Sequence, residues 1–116
     1  MSSAKKSQQS DFYEQVYQIV ALIPKGRVTT YGAIAKALGA AKSSRLVGTA
    51  LINAHYPNTK LPIHRVVNRV GLLTGKHHYD YPNHMQELLE SEGIEVQDDK
   101  VVRFTELFWN PVTKLI

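Results

Sequence analysis

A short segment in the middle of the chain carries residue types found in active sites. Residues 61–67 are LPIHRVV, in which Pro62 fixes the backbone, His64 offers a base and Arg65 offers a permanent positive charge. A nucleophile next to that base would complete a constellation for covalent catalysis. The residue at that position is Ile63, whose hydrocarbon side chain has no lone pair and no ionisable proton. The segment therefore has the surroundings of a reactive residue without the reactive residue.

The composition narrows the chemistry further, because the 116 residues include no cysteine. Disulfides, thiolate metal sites and thiol catalysis are therefore excluded, and the composition fits a cytosolic protein. A second group of candidate ligands, His77, His78, Asp80 and His84, occurs in a polar segment without the fixed spacing of a metal site. We predict exposed side chains there, with no metal and no cofactor.

Charge is distributed unevenly along the chain. Residues 1–76 contain eleven Lys or Arg and two Asp or Glu, a balance of +9, whereas residues 77–116 contain three and eight, a balance of −5. A basic region of this kind can bind phosphates, with counterion release driving association. Many small basic domains bind no nucleic acid, so the charge alone leaves both interpretations open. No window is apolar enough for a membrane span, which needs about 18 residues.

A first helix is predicted from Asp11 to Ile23. Asp11 followed by Glu14 is typical of a capping box, and apolar residues follow at helical spacing as far as Ile23. The preceding residues, 1–10, are polar and lack the apolar core of a secretory signal, so we predict a flexible tail. Residues 11–116 are then expected to form one domain.

Two further helices are predicted to form a helix-turn-helix motif. Thr30 is expected to cap the first, YGAIAKALG, which Gly39 ends. The second is predicted over residues 45–53 with Ser43 or Ser44 as its cap. Two short helices joined by a turn of about four residues are typical of this motif, although helical hairpins also occur for structural reasons alone.

The remainder of the chain predicts short strands and one more helix. Two β-rich runs in HRVVNRVGLLT, residues 64–74, predict a hairpin that would be the wing of a winged helix. A helix is expected to start at Pro82 or Asn83 and to stop at Gly93, followed by a last hairpin around QDDK, and FW near the C-terminus should pack onto the domain. The predicted fold class is α+β and mainly helical, a single winged helix-turn-helix domain with a short β-hairpin wing.

Three blocks of the sequence closely resemble the DNA-binding domain of O6-alkylguanine-DNA alkyltransferases. They are IPKGRVTTYGAIAKALG, SSRLVGTAL and PIHRVV, in that order, and the resemblance extends from Phe12 to Val96. In that family the third block is Pro-Cys-His-Arg, and its cysteine irreversibly accepts the alkyl group. With Ile63 in place of the cysteine, the chain is similar to alkyltransferase-like proteins, which share the domain but lack the acceptor.

The resemblance implies a set of DNA-binding residues. Tyr31 matches the tyrosine associated with rotation of the nucleotide, and Arg45 matches the arginine that enters the duplex in place of the flipped base. The small residues Ser43, Ser44, Gly48 and Thr49 match the part of the helix that approaches the minor groove. Exposed surface and helix capping are the ordinary explanations of the same residues. Arg69, at the tip of the predicted wing, is a candidate for a base or phosphate contact, and an exposed arginine is the alternative.

The resemblance also implies a pocket for the alkylated base. Its expected residues are Tyr31, Ile63, His64, Arg65 and Val66. The transferases use the matching histidine as a base oriented by a glutamate, here Glu92. Without a thiol to deprotonate, we interpret His64 and Glu92 as a structural hydrogen-bond pair. The family's asparagine nine residues after the arginine is replaced by Ala54, and Tyr79 and Tyr81 are candidates for covering the pocket.

The function implied by the resemblance is damage sensing without catalysis. We expect the protein to bind O6-alkylguanine in double-stranded DNA by nucleotide flipping and to flag it for nucleotide excision repair proteins, without alkyl transfer. It is expected to be a monomer in the cytoplasm, on the nucleoid if the source is bacterial, and away from membranes. The alternative is a winged-helix transcription regulator of undamaged DNA. A sensor requires the lesion, whereas a regulator should ignore alkylation.

Overall fold

Six α-helices and four two-residue strands form the regular structure of the part of the chain that is described. The computed structural model describes the backbone of residues 2–55 and 60–114, and side chains within 11–54 and 60–114. The helices are α1 (Ser2–Leu22), α2 (Tyr31–Ala37), α3 (Ser44–His55), α4 (His84–Ser91), α5 (Phe104–Leu107) and α6 (Pro111–Lys114). The strands are β1 (Thr29–Thr30), β2 (Val66–Val67), β3 (Val96–Gln97) and β4 (Lys100–Val101), and 3₁₀ turns cover Ile63–Arg65 and Thr74–His78. The predicted class, α+β and mainly helical, is confirmed.

The first helix is longer than predicted. α1 begins at Ser2, so Asp11 lies inside the helix and does not open it. The alanine, lysines and glutamines before Asp11 have favourable helix propensities, which allow the helix to extend toward the N-terminus. The division of the chain at residue 10 stays a prediction, because the side chains of residues 1–10 lie outside the described part. None of the helices in the described ranges combines the length and apolar character that a membrane crossing requires.

The helix-turn-helix motif is formed by α2 and α3. The hydroxyl of Thr30 accepts a hydrogen bond from the N–H of Ala33 at 3.0 Å, as expected of an N-cap. Gly39 follows α2 with a φ of +72°, a left-handed conformation that favours glycine. The carbonyl of Ser43 accepts the first backbone hydrogen bond of α3, from Val47 at 3.1 Å. The two helices pack against each other, and both pack on α1.

The strand pairing differs from the predicted wing. Val66–Val67 pairs in parallel with Thr29–Thr30, not with the residues after the turn, and Leu72 instead forms a bridge to Lys100 in β4. A β-rich run indicates a strand but does not identify its partner, because strand preference depends on the surface on which the strand packs. The pairing with β1 therefore brings β2 next to the start of the helix-turn-helix motif.

Two turns complete the β structure. The side-chain oxygen of Asn68 accepts hydrogen bonds from the N–H groups of Val70 and Leu72, which reverses the chain and leaves Arg69 exposed at the tip. The hairpin predicted around QDDK is confirmed, with β3 and β4 antiparallel. Its two turn residues, Asp98 and Asp99, have φ values of 51° and 62°, which is typical of a tight hairpin turn.

The buried side chains form two adjoining clusters. One lies between α1, α2 and α3 and contains Ile63 together with Trp109, which is 6% exposed. The other joins α4 to the β3–β4 hairpin and includes Met85 and Leu89. The predicted packing of FW onto the domain is confirmed, because the N–H of Trp109 donates to the carbonyl of Val28 at 2.7 Å.

Candidate nucleic-acid interface and pocket

A cavity of about 150 Å³ opens between the helix-turn-helix motif and the segment that follows β2. Tyr31, Ile63 and Val66 line it, as the sequence predicted, and so does Gly48 of α3. Further residues were not predicted to line it, namely Leu51, Ile52, Thr74, Gly75, His78 and Met85. We call residues 74–79 the rim segment, because four of them border the cavity.

Ile63 forms an apolar wall of this cavity. Its side chain is 6% exposed and belongs to the core cluster under the helix-turn-helix motif. The 3₁₀ turn Ile63–Arg65 directs successive side chains about 120° apart, so the cavity receives the isoleucine while the two following residues point elsewhere. The position is thus able to contact an apolar substituent but offers no atom for bond formation.

Tyr31 is the first residue of α2 and is half-buried beside the cavity. Burial raises the pKa of Tyr31, and a hydrogen bond with the side chain of Thr74 lowers it part of the way back, so the phenol is protonated at neutral pH. A Cβ at position 75 would lie 3.1 Å from the hydroxyl oxygen. Glycine at this position therefore allows the rim segment to approach Tyr31 closely.

The N-terminal half of α3 presents small and basic side chains outside the cavity. Ser44, Arg45 and Thr49 are exposed and Ser43 is half-buried, whereas Gly48, also half-buried, lines the cavity. The guanidinium of Arg45 has no hydrogen bond or ion pair to any residue within the described ranges, and α3 has no acidic residue in its first turn. The hydroxyl of Thr49 donates to the carbonyl of Arg45 at 3.2 Å. Arg45 is therefore free to contact a partner.

A charged network lies behind the cavity wall. Nε2 of His64 is 2.7 Å from Oε2 of Glu92, the pair that the sequence predicted. The guanidinium of Arg65 also donates to Glu92, from Nη2 to Oε2 at 2.7 Å, and to the carbonyl of Ile23 at 2.7 Å. The N–H of Gly26 donates to the same carboxylate at 3.1 Å. The network fixes the 3₁₀ turn that carries Ile63.

These contacts correct the predicted membership of the pocket. His64 and Arg65 were expected to line it, but neither side chain belongs to its wall, because both point toward Glu92. The sequence did not indicate the contact between Arg65 and Glu92, since 27 positions separate them and no periodic pattern relates them.

The charges of the network follow from its geometry. Burial alone raises the pKa of Glu92, but hydrogen bonds from Arg65, His64 and Gly26 outweigh burial and hold the pKa at about 2. Burial lowers the pKa of His64 below its ordinary value, although the carboxylate of Glu92 partly opposes this effect. At neutral pH the imidazole is therefore neutral and donates its Nε2 proton to an ionised Glu92.

Tyr79, Tyr81 and the histidine-rich segment take different positions. Tyr79 lines the cavity, but Tyr81 does not; it is 45% exposed and its hydroxyl donates to Glu87 at 2.5 Å. The ring of His84 stacks on Tyr81 with centroids 4.8 Å apart and meets Tyr79 edge-on. Across the described residues, no three His, Asp or Glu side chains are grouped so that they could hold a metal ion.

Arg69 lies apart from the cavity. It borders a shallow groove with Val70, Lys100 and Arg103, on the surface formed by the turn after β2 and by β4. The residue is exposed, as expected of a turn tip, and its predicted DNA contact remains a prediction. One sequence signal could have identified Gly75 as a cavity residue. It is the glycine in LLTGK, residues 72–76, and a glycine allows its backbone to approach another group closely.

Comparison with known proteins identifies similar chains with the same architecture. Residues 11–94 match the 6-O-methylguanine DNA methyltransferase, DNA binding domain family. Alkyltransferase-like protein 1 of Schizosaccharomyces pombe is 34% identical over 87% of this chain and 96% of its own length. A DNA base-flipping protein of Escherichia coli is 41% identical over 91% of this chain and 80% of its own.

A solved structure agrees with the fold. The crystal structure of S. pombe Atl1 in complex with damaged DNA containing O6-carboxymethylguanine superposes with a TM-score of 0.77 at 33% identity. The superposition covers 86% of this chain and 95% of that one. Together with the cysteine-free sequence and an isoleucine at the wall of the cavity, these similarities show that the chain belongs to the 6-O-methylguanine DNA methyltransferase DNA-binding-domain family, on the branch of the alkyltransferase-like proteins without an acceptor cysteine.

Proposed function

We propose that this protein is a non-enzymatic sensor of O6-alkylguanine in double-stranded DNA. It extrudes the damaged nucleotide from the stack, holds the base in the cavity beside Ile63 and leaves the alkyl group in place. The observation that carries the proposal is the combination of an apolar cavity wall at Ile63 with an uncommitted Arg45 on the neighbouring helix α3. The related proteins described as base-flipping or as bound to damaged DNA support the same interpretation.

Extrusion is required because O6 of a stacked guanine is poorly accessible, and the enzymes that act on such bases also flip them. Arg45 enters the duplex and its planar guanidinium stacks on the neighbouring bases, so it replaces part of the stacking energy that is lost. Tyr31, between the start of α2 and the cavity, guides the rotating nucleotide through its hydroxyl. Ser43, Ser44, Gly48 and Thr49 allow α3 to approach the minor groove closely.

The cavity distinguishes alkylated from normal guanine by burial of the alkyl group. Contact with Ile63 removes the adduct from water, which contributes about 0.8 kcal/mol for each buried methylene. Dealkylation requires in-line attack by a polarisable nucleophile such as a thiolate. The chain contains no cysteine, so the adduct stays on the base and the complex is not consumed by reaction.

A stable complex of this kind serves as a signal. We infer that the bound, distorted duplex is recognised by nucleotide excision repair proteins and that it withholds the lesion from true transferases. The protein acts as a monomer in the cytoplasm, on the nucleoid in a bacterial cell. The division into residues 1–10 and a DNA-binding domain of residues 11–116 is part of the same proposal.

The test is fluorescence anisotropy with matched duplexes that contain guanine or O6-methylguanine, at one fixed salt concentration. We expect the wild type to prefer the lesion and Arg45→Ala to lose that preference. Lys42→Ala removes another exposed cation, three residues earlier, and is the control, which should weaken binding to both duplexes by the same factor. Equal binding of the two duplexes by the wild type would reject the sensor and favour a winged-helix regulator of undamaged DNA.

A further inference from the structure

The β3–β4 hairpin is attached to the segment that leads into the rim of the cavity. The N–H of Leu73 donates to the carbonyl of Asp99 at 2.9 Å, and the N–H of Val101 donates to the carbonyl of Gly71 at 3.0 Å. Leu72 forms a bridge to Lys100. These contacts tie the residues just before the rim segment to the hairpin by backbone bonds.

One ion pair extends this attachment into the rim segment itself. Nζ of Lys76 lies 2.5 Å from Oδ2 of Asp99, and the two side chains are 27% and 51% exposed. Lys76 follows Gly75 and precedes His78, both of which line the cavity. Asp98, the other residue of the hairpin turn, is exposed, and its carboxylate has no hydrogen bond or ion pair to the part of the chain that is described. The two aspartates are therefore neighbours with different contacts.

We propose that Asp99 is a positioning residue for recognition of the lesion, acting through Lys76 on the rim segment. This proposal rests on the proposed function of the cavity. The backbone carbonyl of Asp99 holds Leu73, directly before the rim segment, and its carboxylate holds Lys76 within the segment, so Asp99 sets how closely Gly75 approaches the hydroxyl of Tyr31. The hairpin residues, 96–101, follow the matched residues 11–94 and do not themselves line the cavity, so their effect on it is indirect.

Binding of undamaged DNA and binding of the lesion should respond differently to loss of the ion pair. Undamaged DNA is held by charge and by α3, neither of which depends on the rim segment. The flipped base contacts the rim segment, so its affinity depends on the order of that segment. Loss of the ion pair should therefore lower the preference for the lesion without lowering affinity for undamaged DNA.

The test compares Asp99→Asn with Asp98→Asn. Each variant removes one negative charge from the same turn, and asparagine tolerates the left-handed conformation of both positions, so the hairpin is retained. We expect the ratio of lesion to undamaged affinity to fall about two- to fivefold in Asp99→Asn, the range that an exposed ion pair supplies, and to stay unchanged in Asp98→Asn. Equal ratios in the two variants would overturn the proposal.

Hydrogen exchange of the free protein tests, without DNA, whether Asp99 anchors the rim segment. The amide of Lys76 donates to the carbonyl of Leu73, directly before the rim segment, and the amide of Tyr79 donates to the carbonyl of Lys76. We expect their hydrogen exchange to be about two- to fivefold faster in Asp99→Asn than in wild type or Asp98→Asn. Unchanged exchange in Asp99→Asn would overturn the anchor even if the wild type prefers the lesion. Accelerated exchange in Asp99→Asn, together with a wild type that shows no lesion preference, would reject only the proposed function.

A charge exchange distinguishes positioning from a direct contact of Lys76 with DNA. Lys76→Asp and Asp99→Lys should each accelerate exchange in the rim segment. The double variant should partly restore the slower exchange and the lesion preference, because lysine is less favourable than aspartate at the left-handed φ of 62°. Failure of the double variant to restore either property, with the hairpin intact by amide chemical shifts, would overturn the proposed role of the pair.

Discussion

Arg65 and Glu92 form an ion pair with two oxygen contacts, from Nε to Oε1 at 3.0 Å and from Nη2 to Oε2 at 2.7 Å. Their side chains are 15% and 7% exposed. The same carboxylate accepts from His64, and Arg65 also donates to the carbonyl of Ile23 near the end of α1. The pair thus connects the end of α4, the end of α1 and the turn that forms the cavity wall.

Glu92→Gln should remove part of the acid sensitivity of folding. The pKa of Glu92 is about 2 in the folded state against an ordinary 4.5, so its contribution is present above pH 4.5 and is lost as the pH falls toward 2. We expect the variant to be less stable by about 2 kcal/mol at pH 7, after allowance for solvent screening, and by much less at pH 2.5. Urea unfolding at pH 7, 4.5 and 2.5 measures this difference.

Glu90→Gln is the matched control for that experiment. Glu90 is an exposed residue of α4 whose carboxylate accepts only from Gln86, at 3.1 Å, among the described residues. Its substitution should change stability by less than about 0.5 kcal/mol at every pH. If the two variants lost stability equally at pH 7, the buried network would not carry the stabilisation assigned to it.

His64 should titrate below its ordinary pKa of 6.5. Burial lowers the pKa, while the hydrogen bond and charge of Glu92 raise it part of the way back. The contribution of neutral His64 to stability is therefore complete above pH 6.5 and is lost as the pH falls below that value. An NMR titration of the imidazole should give a lowered pKa in wild type and a still lower one in Glu92→Gln. A higher pKa in the variant would contradict the direction assigned to Glu92.

Gly48→Ala should raise stability and weaken DNA binding at the same time. An added Cβ meets only the ring of Tyr31, at 4.0 Å, and alanine in the middle of α3 stabilises the helix by about 0.5–1 kcal/mol. The methyl group adds bulk where α3 meets DNA and also beside Tyr31 in the cavity wall, so we expect weaker binding of both duplexes and a larger loss for the lesion duplex. Thermal unfolding and anisotropy measure the two effects.

The control for Gly48 is Gly32→Ala in α2. A Cβ at position 32 has no atom within 4 Å, so the substitution tests helix propensity without altering α3. We expect a stability gain with unchanged DNA affinity. If Gly48→Ala bound DNA as tightly as wild type, close approach of α3 to the duplex would be excluded.

The local elements of the fold were predictable because their signals are local. Thr30 caps α2 and Gly39 adopts a left-handed conformation after it, as their residue types indicate. The partner of Val66–Val67 was not predictable, because the run itself carries no information about which strand lies beside it. The start of α1 was missed because a capping-box pattern at Asp11 does not prevent a helix from extending through good helix formers.

The candidate site was predictable only where the sequence blocks mark it. Tyr31, Ile63 and Val66 lie in those blocks and do line the cavity. Thr74 and Gly75 belong to a 3₁₀ segment without periodicity, and the residues directly before them are hydrogen-bonded to a hairpin far along the chain. Sequence patterns therefore did not predict the cavity residues that irregular segments contribute through long-range packing.

Ile63→Cys should transfer alkyl groups weakly at most. The position is 6% exposed among apolar neighbours, and burial of that kind raises the pKa of a thiol, so little thiolate forms at pH 7. Incubation with a duplex that carries radiolabelled O6-methylguanine measures transfer to the protein, with Ile63→Ala as the control for an altered cavity wall. Rapid, stoichiometric labelling of the cysteine variant would show that the machinery for transfer is still present.

Extrusion of the lesion into the cavity beside Ile63 is tested most directly by fluorescence of 2-aminopurine placed next to O6-methylguanine, since this base is quenched while stacked. At saturating protein we predict a marked rise with the lesion duplex, no rise with the undamaged duplex, and a much smaller rise for Arg45→Ala than for Lys42→Ala. Unchanged fluorescence of a fully bound lesion duplex would contradict nucleotide flipping and the function proposed for this chain.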